Sequence, residues 1–170
     1  CIERNQDKDY TTGQVDYSGV LDLGADLLRV YLDADFGGSS TAEPLGTFVV
    51  SAPKRTRRGV SSTGTADLSG RLSEVAEDEF DVPFTVPAGM AVVPYVVGLL
   101  KAAGFADVIA DESDYRLAQD WVLGIDSGDA KLSKRLAACN ALLNVAGFRA
   151  VDEDAYGRPV LRKYMEPQDR

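Results

Sequence analysis

Two nearly identical runs determine how this sequence is organised: Leu99-Leu100-Lys101-Ala102-Ala103-Gly104-Phe105 and Leu142-Leu143-Asn144-Val145-Ala146-Gly147-Phe148. In each run, paired leucines and small residues continue a helical pattern as far as a glycine. Glycine adopts the left-handed backbone conformation that ends helices, and the phenylalanine begins the next segment. The two runs therefore predict two helices that bracket one compact α+β unit.

Apolar side chains at helical spacing precede both glycines. Before Gly104 they are Val93, Val96, Val97, Leu100 and Ala103, and before Gly147 they are Leu132, Leu136, Cys139, Leu143 and Ala146. Proline is tolerated in the first turn of a helix, so Pro94 places the start of the first helix near itself. Ser127 or Asp129 is the predicted start of the second helix.

The rest of this half is predicted to be a short sheet. Residues 106–110 favour a short strand and residues 111–114 an acidic loop, and Trp121 is predicted to be a core anchor because an indole buries a large apolar area. Residues 148–151 and 159–164 alternate like the strands of a β-hairpin.

The turn of that hairpin begins like a calcium-binding loop, with Asp152, Asp154 and Gly157 at its first, third and sixth positions. Tyr156 and Lys163 occupy positions where such a loop needs oxygen ligands. We therefore interpret the segment as a turn and not as a metal site.

The first half of the sequence predicts strands that are joined by turns. Strands are expected over residues 20–23, 27–33, 45–50 and 59–66, with a turn at 24–26, a flexible loop over 36–43 and Pro53 ending the third strand. Leu68, Leu72 and Val75 predict a short helix over residues 67–76. Residues 1–16 are rich in charge and have scattered apolar side chains, which predicts a tail.

Composition excludes several classes of function. The 170 residues carry a formal net charge of -9, which disfavours a nucleic-acid partner because phosphate binding requires a basic surface. The chain has no histidine and only two cysteines, Cys1 and Cys139, which removes Ser/His and Cys/His catalytic pairs and histidine-containing zinc sites. Neither phosphate-binding glycine motif occurs, and no apolar run is long enough to cross a membrane.

Two charged clusters are candidate sites. Residues 54–58 form a basic cluster without interleaved aromatic residues, which is more typical of a solvated hairpin tip than of a phosphate site. The acidic patch, as we name it, consists of Glu74, Glu77, Asp78, Glu79 and Asp81. It offers carboxylates for cations or acid/base catalysis, but such a run is more often a solvated helix end. We therefore assign no catalytic, cofactor-binding or metal-binding residue, and we expect no cofactor.

The order of elements resembles that of tail-tip or baseplate hub proteins of tailed phages. The resemblance rests on the strand segment of residues 43–53 with its Leu45-Gly46-Thr47-Phe48 pattern, the Asp67-led segment after it, and the helix, strand, helix and hairpin order of residues 89–161. Hub proteins continue with further strands that complete a barrel, and this sequence lacks those strands. We therefore expect the sequence to be a piece of a longer chain.

The resemblance implies a fold and a function. It implies an α+β chain with a flexible tail over 1–16, a tube-like partial β-barrel with a short helix over 17–85, an inserted α+β subdomain over 86–165 and a tail over 166–170. The implied role is structural and non-enzymatic, in the virion tail and, during assembly, the host cytoplasm. The implied partners are copies of itself, as a trimer of the full-length parent, and other tail proteins, with neither nucleic acid nor membrane.

Two other classes of function remain open on the residues alone. The first is a carboxylate-dependent hydrolase of cell-wall glycans that would use the acidic patch. The second is a small ligand-binding module. A cleft that joins two carboxylates would favour the hydrolase, whereas open strand edges in the β-rich half would favour assembly.

Overall fold

The structure of the chain is a computed structural model that describes residues 2–4, 10–18, 27–35, 37, 40–58, 61–123 and 133–165. Its strands are β1 (Ile2–Arg4), β2 (Thr11–Ser18), β3 (Leu27–Asp35), β4 (Ser40–Arg58), β5 (Ser61–Gly70), β6 (Phe84–Val86), β7 (Ile109–Ala110), β8 (Trp121–Leu123), β9 (Asp152–Glu153) and β10 (Pro159–Leu161). Its helices are α1 (Leu72–Glu77), α2 (Val92–Ala102) and α3 (Arg135–Val145). These elements confirm the predicted α+β class.

Residue contacts divide the chain into two compact units. Unit 1 contains residues 1–73 together with the segment 153–157, and unit 2 contains residues 74–152 and 158–170. Because these units are defined by contacts and not by independent folding, the domain limits predicted from the sequence stay predictions.

Unit 1 contains a five-stranded antiparallel sheet of order β1-β2-β5-β4-β3. Alternation along paired strands places Phe48, Ala66 and Leu68 in its core, where their side chains are at most 2% exposed. Among the described residues the sheet is open, with β1 and β3 at its two edges.

The first correction concerns the predicted tail. Residues 11–16 belong to β2, which pairs with β5 and sets Val15 opposite Ala66. Residues 2–4 form β1 against β2. Charge and scattered apolar residues favour a tail, but a strand needs only every second side chain to be sheltered, and pairing with β5 supplies that shelter.

The second correction concerns β4, which runs without interruption through residues predicted as loop and past Pro53. Residues 40–43 pair with β3, so only part of the predicted loop 36–43 is outside a strand. The pairing with β5 shifts register between Ser51 and Lys54. Proline is compatible with such an irregularity because the local ladder hydrogen bonds are already absent, so Pro53 does not end the strand.

The third correction concerns the segment between β5 and α1. The strand predicted over 59–66 is confirmed for its described residues but continues to Gly70, and the helix begins only at Leu72. Leu68 pairs with Val50 on one side and Gly13 on the other, so ladder bonds on both sides outweigh the helical spacing. The strand predicted over 27–33 is confirmed by β3, whereas the predictions for residues 20–26 lie outside the described residues.

Both glycine-terminated runs end helices as predicted. Gly104 has a φ of 99° and Gly147 a φ of 76°. The amides of Phe105 and Phe148 donate hydrogen bonds to the carbonyls of Leu100 and Leu143, at 3.3 and 2.9 Å. The glycine amides donate to the carbonyls of Lys101 and Asn144, which completes a Schellman motif at each helix end.

The apolar stripes of α2 and α3 form the core of unit 2. Val96, Leu100, Leu136, Cys139 and Leu143 are at most 1% exposed, so the predicted stripes are confirmed at these positions. Pro94 lies in the first turn of α2, also as predicted. The predicted start of α3 at residues 127–129 lies outside the described residues, and Lys134 is extended, so the described helix begins at Arg135. None of the described helices has the length and apolar character that a membrane crossing requires.

Trp121 is only half-buried, which corrects its prediction as a core anchor. It lies in β8, which pairs with β6, and the fully buried side chain of this strand is Leu123. Val122 points the other way and is 44% exposed. A two-stranded ribbon has one sheltered face, so its three-residue strand cannot bury all three apolar side chains.

The C-terminal hairpin is shorter than predicted. Residues 148–151 are not a strand, although Phe148 bridges Lys163 and the Arg149 amide donates to the Arg162 carbonyl. The predicted strand over 106–110 is reduced to β7, which pairs parallel with β10. The Lys163 amide and then the Arg162 guanidinium lower the pKa of Asp111, which accepts hydrogen bonds from both.

Replacing Leu136 by alanine should lower the free energy of unfolding by about 2 to 5 kcal/mol, because the change removes buried methyl groups and leaves a cavity. Val145 on the same helix is 43% exposed, so Val145→Ala is the matched control, with an expected change within about 0.5 kcal/mol. Urea unfolding of both variants measures the difference. Equal effects would contradict the assigned core face of α3.

The Cys139 thiol should be unreactive in the native protein. Burial raises the pKa of the Cys139 thiol to about 12, and the charge of Arg135 acts in the opposite direction. The thiolate is the reactive form, so labelling of a Cys1→Ser variant should be slow at pH 7 and should accelerate little up to pH 10. A thiol reagent in native buffer and in denaturant provides the comparison. Equal rates would show that Cys139 is accessible.

Candidate assembly surface

The first candidate functional feature is the open edge of the unit 1 sheet at β3. Among the described residues, β3 pairs with β4 and with no other strand. The backbone amides and carbonyls on its other side are therefore not engaged by a described strand. Such an edge is a template for pairing with another chain unless charges or a cover block it.

Apolar side chains are concentrated at this edge. Leu27, Tyr31 and Leu32 of β3 are 47%, 49% and 55% exposed, and Leu45 of β4 is 47% exposed. Leu45 is the extra residue of a bulge, because pairing passes from Val30 opposite Gly46 to Tyr31 opposite Pro44. We name Leu27, Tyr31, Leu32 and Leu45 the edge cluster.

The opposite end of the sheet is polar. Asp16, Thr65 and Lys54 are aligned across β2, β5 and β4, and the next row is Ser18, Thr63 and Thr56. These six residues, with Tyr17 and Gly64, line a cavity of about 640 Å³. The predicted basic cluster begins here and lies within β4, where its cross-strand neighbours are Ser, Thr and Gly residues of β5.

The acidic patch is held by basic residues at the start of α3. Arg135 donates from Nε to Oδ2 of Asp78 at 2.5 Å and from its backbone amide to the Asp78 carbonyl at 2.8 Å. Its guanidinium also lies 4.9 Å from the centroid of the Phe80 ring. Lys134 pairs with Glu77 at 3.2 Å. Two carboxylates of the patch therefore have structural partners, and none of its residues lines the 640 Å³ cavity.

The calcium-like segment uses its oxygens for local structure. Asp154 accepts a hydrogen bond from the Tyr156 amide through Oδ1, and its carbonyl accepts from the Gly157 amide. Gly157 has a φ of 72°, which explains a glycine at this turn. Within the described residues, no group of three or more Asp, Glu, Cys or His side chains is arranged to hold a metal ion.

Residues 153–157 form hydrogen bonds with other residues of unit 1. Oε2 of Glu153 accepts a hydrogen bond from the Leu72 amide, and the Thr47 hydroxyl donates to the Ala155 carbonyl at 3.1 Å. The Arg29 guanidinium lies 5.3 Å from the centre of the Tyr156 ring. Thr47 is only 4% exposed, so its hydroxyl needs this partner.

Comparison with known proteins identifies the fold. No model of a known protein family matches the sequence, and no curated protein sequence matches it. The structure is similar to the tail protein from Neisseria meningitidis MC58, with a TM-score of 0.62 and 12% identity over 90% of this chain and 42% of that chain. It shares the fold of part of a tail protein.

A second solved structure has the same likeness. The 43 kDa tail protein of prophage MuSo2 from Shewanella oneidensis matches with a TM-score of 0.54 and 15% identity, over 92% of this chain and 45% of that chain. This chain spans less than half the length of either tail protein. At these identities the likeness shows a common fold, and it supports the tail-protein part of the resemblance seen in the order of elements.

Sequence reasoning missed the edge cluster and the contacts of residues 153–157. A signal for the first was present, because Leu27-Leu28 and Tyr31-Leu32 place neighbouring apolar residues on opposite faces of a strand. Both faces of one strand cannot be covered by the same layer, so at least one residue of each pair was a candidate for exposure, and both Tyr31 and Leu32 are exposed. The contacts of residues 153–157 had no local signal, because the Thr47–Ala155 hydrogen bond joins residues 108 positions apart.

The two ion pairs of the acidic patch should differ in strength. Asp78→Asn should lower the free energy of unfolding by about 1 to 2 kcal/mol, because the half-buried Arg135 guanidinium loses a charged acceptor. Glu77→Gln is the matched control, since the Glu77 side chain is 71% exposed, and its cost should be below about 0.5 kcal/mol. Chemical unfolding at neutral pH measures both, and a larger loss for Glu77→Gln would contradict the assignment.

Proposed function

We propose that this chain is a structural, non-enzymatic component of a phage-like tail tip, a baseplate hub that links the tail tube to the tip by ring assembly. The observation that carries the proposal is the tail-protein fold, which extends over 90% of the chain in the likeness to the Neisseria protein. Fold alone does not specify function, so the proposal also needs support from surfaces.

The edge cluster supports assembly through unit 1. A ring requires each copy to present one surface to the next copy, and an open strand edge with adjacent apolar side chains supplies both backbone hydrogen bonds and apolar burial. Leu27, Tyr31 and Leu32 lie on the edge strand itself. We propose that β3 is the strand that contacts the neighbouring copy.

The charged clusters support a structural role and not catalysis. Asp78 is hydrogen-bonded to Arg135, and Glu77 is paired with Lys134, so these two carboxylates stabilise the start of α3. A glycan hydrolase needs two carboxylates facing one substrate. We therefore propose that the acidic patch is part of the scaffold and that the chain is not an enzyme.

The proposed partners follow from the proposed location. The full-length parent forms a closed ring, as a trimer, and contacts the tail tube on one side and tip or baseplate proteins on the other. Its location is the virion tail, and it is in the host cytoplasm during assembly. It binds neither nucleic acid nor membrane.

A charged residue in place of an exposed apolar residue of the edge strand should prevent ring formation. In the full-length parent, Leu32→Lys should convert a closed trimer into monomers, because a lysine on an edge strand opposes pairing and requires desolvation in a contact. Light scattering coupled to gel filtration and negative-stain electron microscopy measure mass and shape. Val82→Lys is the matched control, since Val82 in unit 2 is 66% exposed.

The hydrolase makes the opposite prediction for the same preparations. Purified protein would release fragments from peptidoglycan, and Glu77→Gln or Asp78→Asn would abolish the release. That result, with a monomeric parent, would overturn the structural proposal. A trimer that persists in Leu32→Lys would support ring assembly but would contradict the proposal that β3 contacts the neighbouring copy.

A further inference from the structure

The outer side of α2 is apolar over the first nine residues of the helix. From Val92 to Leu100 the helix contains no charged residue, whereas 26% of the whole sequence is charged. One side of the helix is in the core through Val92, Val93, Val96 and Leu100. A helix that is apolar on all sides is normally buried on all sides, but no part of the chain that the structure describes covers the outer side of α2.

This outer side is an open groove. It has a volume of about 360 Å³ and is lined by Met90, Ala91, Pro94, Tyr95, Gly98 and Leu99. We name these six residues the α2 groove. Pro94 and Gly98 are exposed, and the other four are half-buried. Ala91 and Leu99 are eight residues apart, so the groove extends for about 12 Å along the helix axis.

Gly98 leaves one position of the groove lining without a side chain. It lies in the interior of α2, where glycine is less favourable than alanine because of its backbone freedom. A Cβ atom at this position would meet no atom within 4 Å, so packing within the described residues does not require a glycine. The missing side chain instead leaves helix backbone accessible to a close neighbour.

The size of the groove determines what can occupy it. A stable interface between two protein copies uses about 20 to 30 residues a side, and the α2 groove offers six. It is therefore too small to hold a second copy by itself. A short helix fits better, because about two turns have the length of the groove and apolar residues at i and i+4 lie on one face.

The charge of Lys101 indicates what lies at one end of the short helix that would occupy the groove. Lys101 follows Gly98 by three residues, so it lies on the same side of α2, and it is exposed. Within the described residues it forms no ion pair. A cation at the C-terminal end of α2 and an uncharged groove before it match an apolar helix face that ends in a carboxylate side chain.

We propose that the α2 groove binds a short amphipathic helix of a partner protein, with apolar anchors one turn apart and an acidic residue against Lys101. The site is in unit 2 and does not use the edge cluster. The proposal of a helix-binding site can therefore be tested independently of ring assembly.

A defined peptide library tests this proposal on the full chain. Displayed helical peptides of about 16 residues, randomised on one face, should yield binders with apolar residues at i and i+4 followed by Asp or Glu. One selected peptide, labelled with fluorescein, gives the dissociation constant by fluorescence anisotropy. A library without such binders would overturn the proposal.

Three variants locate the site. Gly98→Glu fits the open space and should weaken binding about tenfold or more, because it places a charge in the groove. Val145→Glu introduces the same charge at a 43% exposed position on α3 and should leave binding unchanged. Lys101→Glu should weaken the selected peptide and strengthen a version whose acidic residue is replaced by lysine. Circular dichroism confirms that each variant is folded.

Other occupants would give different results. Self-association in analytical ultracentrifugation that is lost in Gly98→Glu would assign the groove to a second copy. Binding to phosphatidylcholine vesicles that is lost in the same variant would assign it to lipid. Either result, or equal peptide affinity of Gly98→Glu and the unchanged protein, would overturn the proposed helix.

Discussion

The packing of α2 on α3 depends on two helix ends with the same hydrogen-bonding pattern. At each end a glycine with positive φ reverses the chain, and the following phenylalanine amide returns a hydrogen bond to a buried leucine carbonyl. Phe105 and Phe148 are then buried beside the helices that they follow. Leucine pairs before each glycine fill the core, so the same seven-residue pattern fixes both the length of a helix and the direction of the next segment.

Unit 1 depends on a different constraint, which is the pairing of β4 on both of its sides. This strand of 19 residues includes Pro44 and Pro53, neither of which has an amide hydrogen to donate. The register shifts lie next to these prolines, at Leu45 and between Ser51 and Lys54. The two bulges thus allow one long strand to pair with both β3 and β5. The bulge opposite β3 places Leu45 in the edge cluster.

The sequence allowed prediction where the determinants are local. The ends of α2 and α3, the burial of Cys139 and the strand β3 follow from spacing and from glycine chemistry. Prediction failed where distant pairing decides the conformation. Residues 67–70 have helical spacing but lie between two strands, and Trp121 has a large apolar side chain but lies in a ribbon of only two strands.

The candidate surfaces could also be predicted only where their determinants are local in the sequence. The acidic patch could be predicted as a helix end because its residues lie close together in the sequence, between positions 74 and 81. Its partners Lys134 and Arg135 are more than fifty positions away. The exposure of Gly98 is likewise set by which side of α2 faces the core. The charge-free stretch of α2 is visible in the sequence, but periodicity alone assigns such a stretch to the interior.

The insertion of residues 153–157 into unit 1 has a consequence for synthesis on the ribosome. Thr47 is translated 108 residues before its acceptor, the carbonyl of Ala155. At elongation rates of 5 to 20 residues per second, the nascent β-sheet waits roughly 5 to 22 s for this contact. During that interval the amide of Leu72 lacks Glu153 as well. Unit 1 therefore comes first in the chain but reaches its final hydrogen bonding only after most of unit 2 has been translated.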